Sequence, residues 1–360
     1  MVEEVREVSQ SGRFTALDSW RGICAILVTL FHFPLTGGWV HDSALVRDSY
    51  LFVDFFFVLS GYVMMSTQAG KLYRPGGGWR YLIKRLGKLW PMHVLMLAVM
   101  IGFSLLTGGL GRDERHSIPA IWTNLMLIHA YGMHGDLTWN PPSWSISVEW
   151  LLYVVFAAIT PRRWSGLAYA ALIVISLTVL SLIAPSGMKS TYDYGVFRGL
   201  AGFSLGVLAA KIPRRSFGTL IELAVVTAVG VFVTLGVGAL AADFVFGAAV
   251  YVFAASRGAL GRLLSTPIPM ALGRWSYSIY MIQTAFVAFL WKIAGPMGWK
   301  EESEWLAAGP VSDLVAVFYV LGIIALASQT YYWFEEPIRR RVAAWADNLR
   351  RVAVSPQGGA

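Results

Sequence analysis

Apolar runs of about 17 to 25 residues, broken by short polar stretches, follow one another from residue 17 to residue 334. At 1.5 Å of rise per residue, each is long enough as an α-helix to cross a hydrocarbon core about 30 Å thick. Lipid offers no hydrogen-bond partner to a bare backbone, so such runs must be helical. The pattern therefore predicts an all-α fold, a polytopic membrane helical bundle of about ten transmembrane helices. The spans lie near 17–36, 50–67, 89–108, 144–160, 165–184, 196–210, 216–237, 239–255, 268–292 and 309–333. One further apolar stretch, IPAIWTNLMLIHAY at 118–131, has 14 residues and is expected to be re-entrant.

Charge orients this bundle. With 118–131 not crossing and the N-terminus in the cytoplasm, 20 of the 29 Lys and Arg residues fall on the inner side and 5 on the outer. The other four, Arg21, Arg198, Arg274 and Lys292, lie in spans. The positive-inside rule thus favours an inner (cytoplasmic) membrane protein with both termini cytoplasmic. Segment 1–16 is expected to be cytoplasmic, 17–334 to form one membrane domain, and 335–360 to be a basic cytoplasmic tail. The opening MVEEVREVSQSGRF has no hydrophobic core or cleavage site, so the first span directs insertion.

Composition agrees: 56% of residues are hydrophobic and 14% charged, against about 25% charged in soluble domains. The net charge of +8 sits in short loops, which is explained by orientation in anionic lipid and not by nucleic acid. The single cysteine, Cys24, excludes an internal disulfide or a cysteine-based metal cluster, and no metal is expected.

Ionisable residues within spans are costly and mark chemistry or transport. Arg21 and His32 in LDSWRGICAILVTLFHF are eleven residues apart, about 16 Å of helical rise and about three full turns, so both point to nearly one face. Asp54 in VDFFFVLSGYVM and Glu149 in NPPSWSISVEW lie four or five residues inside the outer ends of their spans, at a depth matching His32. Within KRLGK, Arg85 and Lys88 are three apart and share a helix face at the inner mouth, which suits a polyphosphate.

Taken together with FRGLAGFSLGVL, LGRWSYSIYMIQ and the closing YYWFEEPIRRR, these motifs resemble, in order and spacing, the acyltransferase-3 family of bacterial integral membrane O-acyltransferases. The resemblance implies ten spans and a cytoplasmic acyl-CoA co-substrate, acetyl-CoA above all, with no permanently bound cofactor. It implies transfer of the acyl group to a hydroxyl of a carbohydrate acceptor such as an exopolysaccharide. Arg21, Arg85 and Lys88 are then expected to hold the donor, and His32 to act as general base with Glu149 or Asp54 orienting it. Trp144, Ser145 and Ser147 are expected to place the acceptor. Two positions depart from the pattern: the family's Arg-x-x-Arg pair is Arg85 and Lys88 here, and Gln283 stands where many relatives have histidine. A proton-coupled transporter is the alternative, because intramembrane His, Asp and Glu also form proton relays.

Overall fold

The computed structural model describes residues 14–35, 37–236, 238–294 and 309–354, and it is helical throughout, with no strand among them. The predicted N-terminal segment as far as residue 13, the 295–308 connection and residues 355–360 lie outside the described residues.

Twelve principal helices form: α1 Thr15–Phe31, α2 Phe52–Leu72, α3 Gly77–Thr107, α4 Ile118–Leu125, α5 Trp144–Ile159, α6 Ser165–Leu182, α7 Gly195–Ala209, α8 Thr219–Leu235, α9 Ala242–Phe253, α10 Pro267–Ala294, α11 Gly309–Thr330 and α12 Glu336–Val354. Five stretches are long and apolar enough to cross a membrane: Ser49–Leu72, Gly77–Thr107, Pro141–Ile159, Ser165–Leu182 and Gly309–Leu349. Three shorter apolar helices, Gly195–Ala209, Thr219–Leu235 and Ala239–Phe253, join them. The remaining two predicted spans form as α1 and α10, which carry Arg21 and Arg274. The chain is an integral membrane helical bundle. Its basic face is the end where α1 and α3 begin, α2 finishes and α12 lies.

Helix α4 has only eight residues, about 12 Å of rise, and does not reach across the bundle. The chain turns back at Leu127, whose φ of 56° is one of two positive values among described non-glycine residues. The returning backbone is buried, so its polar groups need partners. Ser147 supplies several: its hydroxyl donates to the Leu127 carbonyl at 2.8 Å and lies 3.4 Å from the Ala130 amide, while its own carbonyl accepts from the Tyr131 hydroxyl at 3.0 Å. Asn140 donates across to the Met281 carbonyl at 3.1 Å.

Two glycine contacts set the helix framework. Gly22 on α1 faces the backbone of Leu272 and Gly273 on α10, and Gly273 faces the Asp18 carbonyl, so a Cβ at either position has no room. Gly61 on α2 and Gly206 on α7 meet the Phe203 and Val58 carbonyls in the same reciprocal way. Small residues let backbones approach closely in a solvent that gives helices no hydrophobic reason to associate. The pairs α1–α10 and α2–α7 are accordingly the most extensive in the bundle. Helix α9 packs on α2, α7 and α8, and α5 packs on α3 and α7.

Two expected boundaries differ. The basic stretch 71–88, which lies between two predicted spans, is mostly helix: α2 runs to Leu72, a short turn follows, and α3 starts at Gly77. Good helix formers between Arg80 and Lys88 outweigh the charge that hydropathy alone counts against a helix. At the other end α11 does not stop near 333 but passes through a π turn, Tyr331–Glu335, into the basic helix α12.

Candidate active site

A cavity of about 580 Å³ enters the bundle at the basic face, where Phe14, Thr67 and Arg340 border it, and reaches inward to Val53 and Ser145. Helices α1, α2, α3, α5 and α10 wall it, and the π turn closes one side. Of the residues expected at the site, Arg21, Arg85, Lys88, Ser145 and Glu149 line it, whereas His32, Asp54, Trp144 and Ser147 do not.

The cations at the mouth are held in different ways. Arg21 is fixed against α10: its Nε donates to the Ser276 hydroxyl at 2.8 Å and its Nη2 to the Gly273 carbonyl at 2.7 Å, with Asp18 3.6 Å away. Its side chain keeps a third of its surface open. Arg85 lies between aromatic rings, 5.7 Å from the Tyr81 centroid and 5.8 Å from that of Tyr153, and its buried Nε has no hydrogen-bond partner. Neither Arg85 nor Lys88 makes a side-chain hydrogen bond or ion pair among the described residues. A cation left unpaired in a low-dielectric bundle is a strong attractor for an anion. By contrast, Glu336 already binds Arg339 and Arg340, the latter at 2.5 Å. Glu335 accepts from the Ser278 hydroxyl at 2.7 Å.

Deeper in, Glu149 accepts hydrogen bonds from the Tyr153 hydroxyl and from the Ser60 hydroxyl, the latter at 3.2 Å. The Ser145 hydroxyl lies 3.0 Å from the Tyr280 oxygen and 3.1 Å from the Pro142 carbonyl. Sequence reasoning named Glu149 and Ser145 but missed Tyr153 and Tyr280. The spacing of Glu149 and Tyr153, one helical turn apart, carried the signal for the first; Tyr280 becomes a neighbour only through the packing of the Pro141–Ser143 turn, which leads into α5, against α10.

Asp54 is placed elsewhere. It is fully buried and receives two bonds from Arg198, Nη2 to Oδ2 at 2.7 Å and Nε to Oδ1 at 3.1 Å. Arg198 also donates to the Ser190 carbonyl at 2.8 Å, and its guanidinium stacks 5.1 Å above the Trp144 ring. Trp144 is thus a platform for this pair, and Ser147 is used by the re-entrant segment, which accounts for the absence of both from the cavity.

His32 caps the C-terminal end of α1, away from the basic face, with Nδ1 2.8 Å from the Val28 carbonyl. No described carboxylate lies within ion-pair distance of its ring, so the expected contact with Asp54 or Glu149 is not made directly. A carbonyl can only accept, so Nδ1 carries the proton and the neutral ring presents its lone pair at Nε2. The contact that holds the ring is thus with the backbone and not with a carboxylate.

A family model described as an acyltransferase domain matches residues 14–329. The chain belongs to the acyltransferase-3 family. The match takes in α1 through α11 and hence nearly all of the cavity wall. Two relatives agree. Over 189 residues the chain is 31% identical to "Protein 2 in picA locus" of Rhizobium radiobacter, covering 48% of this chain and 92% of that one. Over 327 residues it is 26% identical to "Exopolysaccharide production protein ExoZ" of Rhizobium meliloti, covering 86% and 93%. No solved structure matches the chain. As a member of this family the protein is a membrane O-acyltransferase, and the reading as a proton-coupled transporter gives way to it.

Proposed function

We propose that this acyltransferase moves an acyl group, acetyl above all, from cytoplasmic acyl-CoA to a hydroxyl of a surface carbohydrate such as an exopolysaccharide. The observation that carries the proposal is the cavity at the basic face, with unpaired Arg85 and Lys88 and the half-open Arg21 at its mouth. Those cations suit the donor's phosphates, and the depth beyond them suits an extended thioester arm. The basic face is then cytoplasmic, as the distribution of Lys and Arg favours. The carbohydrate acceptor is supported by the relative named for exopolysaccharide production.

In the proposed reaction His32 Nε2 accepts the proton of the acceptor hydroxyl as that oxygen attacks the thioester carbonyl. The acyl–sulfur bond breaks, and the proton taken up by the imidazole passes to the departing sulfur, so that CoA leaves as the thiol and His32 returns to its neutral form. Glu149, held by Tyr153 and Ser60, borders the inner end of the thioester path and is the second group able to take that proton. The acceptor approaches from the face opposite the donor.

Mass spectrometry of surface glycans from cells with and without the gene tests the whole reading. The expected result is loss of an O-acyl mass increment on deletion. Glycans of unchanged acylation overturn the carbohydrate acceptor, and failure of the purified protein to release free CoA thiol from acetyl-CoA in the presence of those glycans overturns the donor.

A further inference from the structure

A second cavity, about 340 Å³, opens on the basic face beside the first. It is lined by Lys71, Arg74, Arg80, Lys84, Arg85 and, from α12, Asp347. Five cations thus face one carboxylate. That carboxylate is already taken, since Asp347 accepts from Lys84 at 2.6 Å. The other cations are lightly committed: Lys71 reaches Gln68 at 3.3 Å, Arg80 donates one bond to the Pro75 carbonyl at 3.1 Å, and Arg74 makes no side-chain hydrogen bond or ion pair among the described residues. Arg85 is the residue the two linings share.

We propose that this second cavity holds the nucleotide end of the acyl-CoA donor, with the 3′-phosphate bound by Arg74 and Arg80 and the diphosphate passing Arg85 into the larger cavity. The inference rests on the acyl-CoA reading above and adds a residue-level subsite to it. Three observations select a nucleotide over other anions. The space is too large for a free phosphate alone. Its lining carries no aliphatic side chain on which lipid tails would lie, while Tyr81 supplies an aromatic edge. It shares Arg85, whose Nε has no partner, with the larger cavity, so one extended molecule could contact that cation from both spaces. A phosphomonoester meeting two guanidinium groups forms charge-assisted, bidentate hydrogen bonds, which are the strong ones.

The test compares CoA with 3′-dephospho-CoA, using the full-length protein in neutral phosphatidylcholine nanodiscs and calorimetric binding. The wild type should prefer CoA by about ten- to hundredfold, the range of one or two charge-assisted hydrogen bonds. In the double variant Arg74→Gln, Arg80→Gln that ratio should fall close to one, and Arg74→Lys, Arg80→Lys should restore part of it. Because the readout is a ratio within one preparation, a misfolded variant is recognised by its failure to bind dephospho-CoA, and the single variants Arg74→Gln and Arg80→Gln then decide. Tight CoA binding by the wild type with a ratio the variants leave unchanged overturns the subsite and leaves the donor reading intact. Absence of CoA binding by the wild type overturns both. If the variants alter only the response to added phosphatidylglycerol, the cavity is a lipid site and the proposal is wrong.

Discussion

Arg198 and Arg85 are both arginines inside a lipid-embedded bundle, and they are treated in opposite ways. Arg198 has 2% of its side-chain surface open, a fork of two bonds to Asp54, further bonds to the Ser190 and Tyr50 carbonyls, and a ring beneath it. Arg85 has rings beside it but no bonded partner. Charge in a membrane is costly in both places, yet only Arg198 has its cost offset by the protein itself. Of these two arginines, the paired one ties α7 to α2, and the unpaired one borders the cavity.

The strongest way to break this comparison is at the committed pair. Replacing Asp54 or Arg198 with Ala leaves its partner buried and uncompensated, which should cost about 3–5 kcal/mol, a large part of a typical stability of about 5–15 kcal/mol. The expected result is a collapse in membrane protein level and in thermal unfolding temperature in detergent. Normal protein level with selective loss of transfer would show instead that Asp54 works in the chemistry.

Next in size is His32. His32→Ala should lower kcat by about 10²–10⁴-fold, the usual span for a general base, while isothermal binding of donor stays close to wild type. Glu149→Gln provides the comparison. If it abolishes turnover and His32→Ala does not, the base is Glu149.

Arg85→Ala should leave protein level intact and raise the donor's KM by about tenfold or more, with kcat moving less, since a remote phosphate contact acts mainly through uniform binding. An unchanged donor KM in purified protein removes Arg85 from the donor site. The smallest effect is expected at Lys88. Lys88→Arg replaces a point charge with a bidentate fork and restores the Arg-x-x-Arg pair that the family resemblance implies, so donor KM should stay within about threefold or fall. Inactivity of that variant would show that the mouth is shaped for an ammonium group.

Much of this arrangement was legible before any coordinates, for reasons that differ by residue. Helices formed over each of the ten predicted spans because lipid leaves the backbone no other regular structure. Arg85 and Lys88 could be placed on one face from their spacing alone, since both lie on α3. The partner of Asp54 could not. Arg198 is 144 residues away, and which of several intramembrane cations meets a given acid depends on how α2 packs on α7. Likewise, depth along a span suggested that His32, Asp54 and Glu149 belong together, but depth says nothing of azimuth: Asp54 turns to α7, Glu149 to the cavity, and His32 back onto its own helix. The π turn at Tyr331–Glu335, which brings Glu335 to Ser278 and the cavity wall, left no hydropathy signal because one extra residue in a turn does not change the apolar content.

The α1–α10 contact has a consequence for biosynthesis. Arg21 precedes its acceptors, Gly273 and Ser276, by more than 250 positions along the chain. At about 5–20 residues per second, translation separates them by something on the order of 10–50 s. Throughout that interval Arg21 has Asp18 on its own helix but neither of its α10 acceptors, and the glycine seam of α1 is bare. The mouth of the cavity therefore cannot be complete on a nascent chain that lacks α10. It is completed when α10 arrives, so a ribosome that stalls anywhere before residue 273 leaves a product whose cavity lacks its α10 wall and whose α1 glycine seam is uncovered.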